Sequence, residues 1–269
     1  MSKPKDMAVK TEDDRLPAVY DYGEDADAGF EDTTREDYAV PFLGILQKMS
    51  PQVDPDSGSY VDGAKAGMLV NTVTQEMYPG ETGVRFVPCH RQHCYVEWVP
   101  RDAGGGFVGQ HEPESEVVAE ARKVAASFNE LVTPAGNDLM ETFYVFGLLV
   151  HENGDYEHMA IAFGSTQIKK YKQWMTRARS LKVLGAGGHR VVPPLFAHAY
   201  RLTTQAEENK KGKFHGWRIG FAGDNAEACR LAPDAELYQA AKAFRDLAKS
   251  GSVRTEQQAQ EAPTEEESF

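Results

Sequence analysis

Cysteine is scarce in this chain: Cys89, Cys94 and Cys229 are the only three among 269 residues. A small, odd set of thiols builds no disulfide framework and fits a reducing cytoplasm. Long hydrophobic runs are missing, and none approaches the ~20 residues that span a bilayer. The opening MSKPKDMAVKTEDD has no apolar core of a signal peptide. A soluble, cytoplasmic protein is therefore expected. The signatures of several enzyme classes are missing too. There is no Gly-x-Ser-x-Gly elbow and no phosphate loop ending in Gly-Lys-Ser/Thr, and the glycines at 185–188 do not follow a strand to open a dinucleotide-binding helix. Glu152, Asp155 and Glu157 surround a turn signal, where carboxylates are ordinary solvation, so they do not make a metal-nuclease cluster. The expectation is a protein that is not an enzyme and needs no cofactor.

Positive charge is also in short supply. Lys and Arg number 29 against 41 Asp and Glu, a net charge of -12. That argues against a uniformly basic surface, but not against one basic groove. Residues 158–205 show why. They hold Lys169, Lys170, Lys172, Arg177, Arg179, Lys182, Arg190 and Arg201, and no acid at all. A cationic zone sorted out of an acidic chain suggests an anionic partner for that zone.

Inside this zone the spacing predicts a helix over 167–183, with Ser165 or Thr166 as its N-cap. Ile168, Tyr171, Met175, Ala178 and Leu181 share one face. Lys170, Trp174 and Arg177 line one border of it, and Lys172 and Arg179 the other. Gly185, Gly187 and Gly188 supply a C-cap. Cations beside an exposed ring suit single-stranded nucleic acid: charge meets phosphate and the ring stacks on a base. The alternative is an ordinary amphipathic helix with a solvated basic border and Trp174 in the core.

The rest of the chain frames this element. Residues 1–37 carry many acids and few apolar residues without period, which reads as a disordered acidic arm. Residues 38–249 read as one domain, and 250–269 as a disordered acidic tail. Strand patterns recur at 69–74, 84–100, 142–150 and 158–163, with Pro88 interrupting the second. Asn153 and Gly154 signal a hairpin. A second hairpin, 195–204 with 214–223, carries Lys210, Lys211 and Lys213 at its tip. Helical patterns fall at 116–132 and 234–248. The fold class expected is α+β, with a β-rich body, a bent sheet or a small barrel of the oligonucleotide-binding (OB-like) type, and two or three added helices.

Cys89, His90, His93 and Cys94 are the single cluster of zinc-type ligands. Neighbours on a strand point to opposite faces, so the four converge only if the segment turns. A strand with buried cysteines and surface histidine is the competing reading. Rings and cations interleave elsewhere: Tyr95, Trp98 and Arg101 on one strand and its exit, and Trp217 beside the lysines of the second hairpin. Tyr95 and Glu97 share one face of that strand and Val96 and Trp98 the other.

The segments AVPFLGILQKMSPQ, GAKAGMLVNTVT, VRFVPCHRQHCYVEWVPRDAGGGFVGQH and GSTQIKKYKQWM, in that order, resemble a group of tailed-phage single-stranded DNA-binding proteins. The resemblance covers about residues 38–220. It implies an oligonucleotide-binding barrel, a role in DNA replication or recombination in the host cytoplasm, and single-stranded DNA as partner. The end Thr-Glu-Glu-Glu-Ser-Phe269 is similar to the acidic tips of replicative proteins of this kind, though shorter in acid. It implies recruitment of replication or recombination proteins through Glu265, Glu266, Glu267 and Phe269. Homo-oligomerisation stays open. The competing classes are an acidic interaction protein, such as a host-directed inhibitor or DNA mimic, and a replication or recombination nuclease. A mimic has no need of the acid-free zone.

Overall fold

In a computed structural model of the chain, the residues described are 28–29, 39–125, 130–209, 212–251 and 253–255. The acidic arm expected at 1–37 and the tail expected at 250–269 lie almost wholly outside them. The elements run β1 Ala39–Val40, β2 Leu43–Ile45, β3 Leu69–Asn71, β4 Met77–Tyr78, β5 Val84–Trp98, β6 Phe107–His111, α1 Glu116–Val124, β7 Leu131–Val132, β8 Asp138–Val150 and β9 Tyr156–Gly164. They continue with α2 Ile168–Ser180, β10 Val183–Leu184, β11 Arg190–Val191, β12 Tyr200–Asn209, β13 Gly212–Phe221, α3 Glu236–Lys249 and β14 Arg254–Thr255. The protein is α+β, with a β-rich body and three helices. No helix among the described residues is long and apolar enough to cross a membrane.

The body is an antiparallel sheet in the order β13-β12-β5-β8-β7, with β6 also on β5 and β9 also on β8. Its two ends do not pair with each other among the described residues, so the sheet is open and no closed barrel forms. The strands of β8 and β9 meet through the turn that Asn153 and Gly154 signal. Gly154 takes φ 96° there, a left-handed backbone that glycine adopts without steric cost.

Both faces of the sheet are buried, because β8 is apolar on both. Tyr144, Phe146, Leu148 and Val150 pack under Ala241 and Phe244 of α3. Phe143, Val145 and Leu149 pack on the other face, under Tyr171 and Trp174 of α2. In β5 the register shifts between Pro88 and His90, so Pro88 bulges the strand but does not end it. The extra residue reverses the parity of the faces. Before it, the even-numbered Val84 and Phe86 face α2. After it, the even-numbered Cys94 and Val96 face α3, and the odd-numbered His93 turns to the α2 side, where it stacks on Phe143.

Two helices differ from expectation. The pattern over 116–132 splits: α1 stops at Val124, and Leu131–Val132 pairs with β8. In the central zone a tight turn, Ser165–Gln167, precedes α2, and neither Ser165 nor Thr166 caps it with a side-chain bond. The helix ends at Ser180, where Leu181 turns extended. The glycines at 185–188 are not its C-cap. They form the tip of the β10–β11 hairpin, where Gly188 bonds back to Gly185 and Gly185 to His189.

Candidate nucleic-acid interface

Helix α2 turns the acid-free zone into a surface. At 3.6 residues per turn, Tyr171, Trp174 and Ala178 form the stripe packed on the sheet. Lys169, Lys172, Arg177 and Arg179 are exposed. No ion pair among the described residues engages these four. Arg177 Nη1 donates only to the carbonyl of Ile219, at 3.4 Å. Lys170 differs: it is half-buried and paired with Glu207 of β12. Burial lowers its pKa, and its charge is already answered inside the protein.

The flank carrying Lys172 and Arg179 forms one wall of a cleft of about 690 Å³. The opposing wall is the segment 192–195 with Val192 and Leu195. Arg91, exposed on β5, lines the same cleft. No carboxylate among the described residues lines it. Over the outer face of α2 a wider depression of about 850 Å³ takes in Lys169, Lys172 and Arg177, with Glu141 at its edge. Lys172 belongs to both. From Lys169 to Arg179 the helix rises about 15 Å, a length that matches roughly four phosphates of a stacked strand.

The rings expected beside these cations are elsewhere. Trp174 is 3% exposed and Trp217 4% exposed, and both belong to the core between α2 and the sheet. Trp174 meets the edge of Tyr200 at 5.2 Å, and Trp217 lies 6.2 Å from Phe163. The expectation that one of them stacks on a base is corrected. The step from Tyr171 to Trp174 puts both on the buried stripe, and an indole is too apolar to stay at its border when the sheet offers Phe86 and Phe163.

Residues 9–254 match the family of Pam3 phage gp34-like proteins. The chain belongs to that family. No curated protein and no solved structure matches it. The phage side of the resemblance is thereby shown.

The remaining expected positions of this gp34-like protein scatter. Trp98 is half-buried, edge-on to Phe107 at 5.6 Å. With Trp217, Phe42 and His215 it lines a cleft of about 560 Å³ that has no Lys, Arg, Asp or Glu among the described residues. Lys182 and Arg190 flank the β10–β11 hairpin in a third cleft. Lys213 is exposed at the start of β13, and Arg201 on β12. Lys210, Lys211, Glu265, Glu266, Glu267 and Phe269 lie outside the described residues, as does the side chain of Arg101.

The zinc alternative fails because β5 holds its four residues on two faces. Cys89 and Cys94 are in the core under α3, where burial pushes both thiols up, Cys94 to about 12. His90 stacks on Phe146 on that face, and burial, then Arg245 of α3, lowers its pKa. His93 points to the opposite face, so the four do not converge. Two groups went unmarked in the sequence: Arg91, and the pile of His93, Phe143 and Tyr171. The run His90-Arg-Gln-His93, polar in the middle of an apolar strand, was the available signal.

Proposed function

We propose that this gp34-like protein binds single-stranded DNA along the α2 flank and coats it, without turnover, during replication or recombination of the phage genome. The observation that carries the reading is a set of cations without ion-pair partners among the described residues, Lys169, Lys172, Arg177 and Arg179 on α2 and Arg91 on β5, of which Arg91, Lys172 and Arg179 line one cleft with no carboxylate among the described residues, in a chain of net charge -12. Lys170 pairs with Glu207, and Lys169, Lys172, Arg177 and Arg179 have no such partner among the described residues. Their mechanism is counterion release, which is indifferent to base sequence. The acidic tail with Glu265, Glu266, Glu267 and Phe269 is proposed to recruit replication or recombination proteins, with the glutamates steering encounter.

The test is a titration of fluorescent oligo-dT at 50 and 200 mM salt. Five cations, the four on α2 and Arg91, give a log-log salt slope of about -3.5, or roughly a hundredfold weaker binding at the higher salt. The double variant Lys172→Glu, Arg179→Glu should reduce the slope to about -2.1 and the salt effect to roughly twentyfold. No binding at low salt, or an unchanged slope in the folded double variant, overturns the proposal.

A further inference from the structure

A strand held by α2 needs something for its bases, and the two core tryptophans do not provide it. Past the β5 bulge, His93 lies directly across from Phe143 of β8. Their rings are parallel, 4.2 Å apart with an angle of 7° between planes. The Phe143 ring also stacks on Tyr171 of α2, at 4.4 Å and 20°. Phe143 and Tyr171 are buried, at 7% and 3%, whereas about a third of the His93 side chain is exposed, 32%. His93 Nε2 donates to the Glu141 carboxylate at 3.0 Å, which fixes the direction of the ring.

Tyr95, on the same face of β5, tilts against the His93 ring at 5.8 Å and 45°, and the other surroundings leave the outer side of the ring accessible. On the side away from β8, β12 pairs with β5 only as far as Phe86, and β6 only from Tyr95 onward. Between them the rim of the sheet is unpaired among the described residues. Arg91 stands two residues earlier on the same face, about 7 Å along the strand. Lys172 Nζ lies 5.7 Å from the centre of the Phe143 ring. Arg91 and Lys172 both line the cationic cleft, so the ring pile adjoins it. The Glu141 carboxylate repels phosphate, which directs the backbone to those two cations and leaves the ring for the base.

The geometry points to His93 as the surface on which one unpaired base of the bound strand stacks, with Arg91 and Lys172 taking the phosphates on either side. This rests on the proposed binding of single strands. A ring already backed by two others and tied by a hydrogen bond loses little freedom when a base settles on it. Stacking on such a surface is tolerant of base identity.

The experiment compares oligo-dT with an abasic oligonucleotide of equal length, on the full chain. The wild type should favour oligo-dT by about 5- to 150-fold, the range of a single stacked base. His93→Ala should bring oligo-dT down to the abasic affinity and leave the abasic affinity unchanged. His93→Phe, which keeps a ring and loses the Glu141 bond, should restore the preference. Three results overturn the inference while single-strand binding stands: equal wild-type affinity for the two oligonucleotides, undiminished oligo-dT binding by His93→Ala, or His93→Phe as weak as His93→Ala. A wild type that binds neither oligonucleotide overturns both proposals.

Discussion

Replacing Trp174 by alanine separates a core ring from a DNA-binding ring. The indole is 3% exposed and is enclosed by Phe86 at 6.5 Å, Phe163 at 6.0 Å and Tyr200 at 5.2 Å. Truncating a buried ring of this size removes its transfer energy and leaves a cavity that the surroundings only partly fill. The loss is about 3–5 kcal/mol. Contacts with three aromatic neighbours favour the upper end, since such pairs contribute about 0.5–1.5 kcal/mol beyond area. With a urea slope of about 3 kcal/mol per molar, the unfolding midpoint should fall by roughly 1–1.7 M. The cations of α2 lie on other stripes of the helix. Trp174→Phe, which refills much of the space, should therefore bind oligo-dT as the wild type does. Urea unfolding followed by far-UV circular dichroism, with oligo-dT anisotropy on the folded protein, reads both quantities. A Trp174→Ala protein with an unchanged midpoint and weakened oligo-dT binding would falsify the core assignment.

Gly147→Ala should destabilise the sheet by about 1–3 kcal/mol, because a Cβ there would sit 2.4 Å from the Phe86 ring and 2.4 Å from the Val87 carbonyl oxygen. Gly220→Ala, whose Cβ meets nothing within 4 Å, is the control, and equal urea midpoints for the two would refute the packing. Stability should also fall with acid in the histidine range. Partial desolvation lowers the pKa of His158, whose ring stacks on Phe244 of α3 at 4.1 Å while the residue stays exposed, and burial lowers those of His90 and His198, each with an arginine nearby as a further cause. The unfolded chain then takes up protons that the folded one refuses. Stability is complete above about pH 6.5 and declines as pH drops from there toward the depressed folded values. Comparing urea midpoints at pH 7.5 and 5.5, His158→Phe should shrink the drop, and an identical drop in that variant would exclude His158 as a contributor.

What the sequence made legible follows from which forces are local. The α2 helix was readable because its apolar residues repeat at steps of three and four. The two hairpins were readable from Asn153 and Gly154 and from the strand patterns flanking the lysine-rich tip. The acid-free zone needed only counting. By contrast, the glycines at 185–188 read as a helix end that Leu181 already makes, because the same residue serves a C-cap and a hairpin tip equally well. The end of α1 at Val124 was hidden for a similar reason: Leu131 and Val132 continue an apolar pattern, and only their pairing with β8 decides that they are a strand.

The rings were misplaced for a deeper reason. Charged side chains rarely leave water, so four of the five cations of α2, all but Lys170, reach the surface as their pattern suggests. An aromatic side chain serves equally as core and as platform, and the choice is made by what stands across from it. Trp174 found Phe86, Phe163 and Tyr200 and went inside. His93 had the cross-strand Phe143 on one side and an unpaired sheet rim on the other, so it kept an open face. That outcome turned on a single extra residue between Pro88 and His90. Without the bulge, the parity of β5 would have sent His93 toward α3 and brought Cys94 to the α2 side. The position of the proposed base-stacking surface is thus set by a register shift that pairing partners fix and that the residues of β5 alone do not announce.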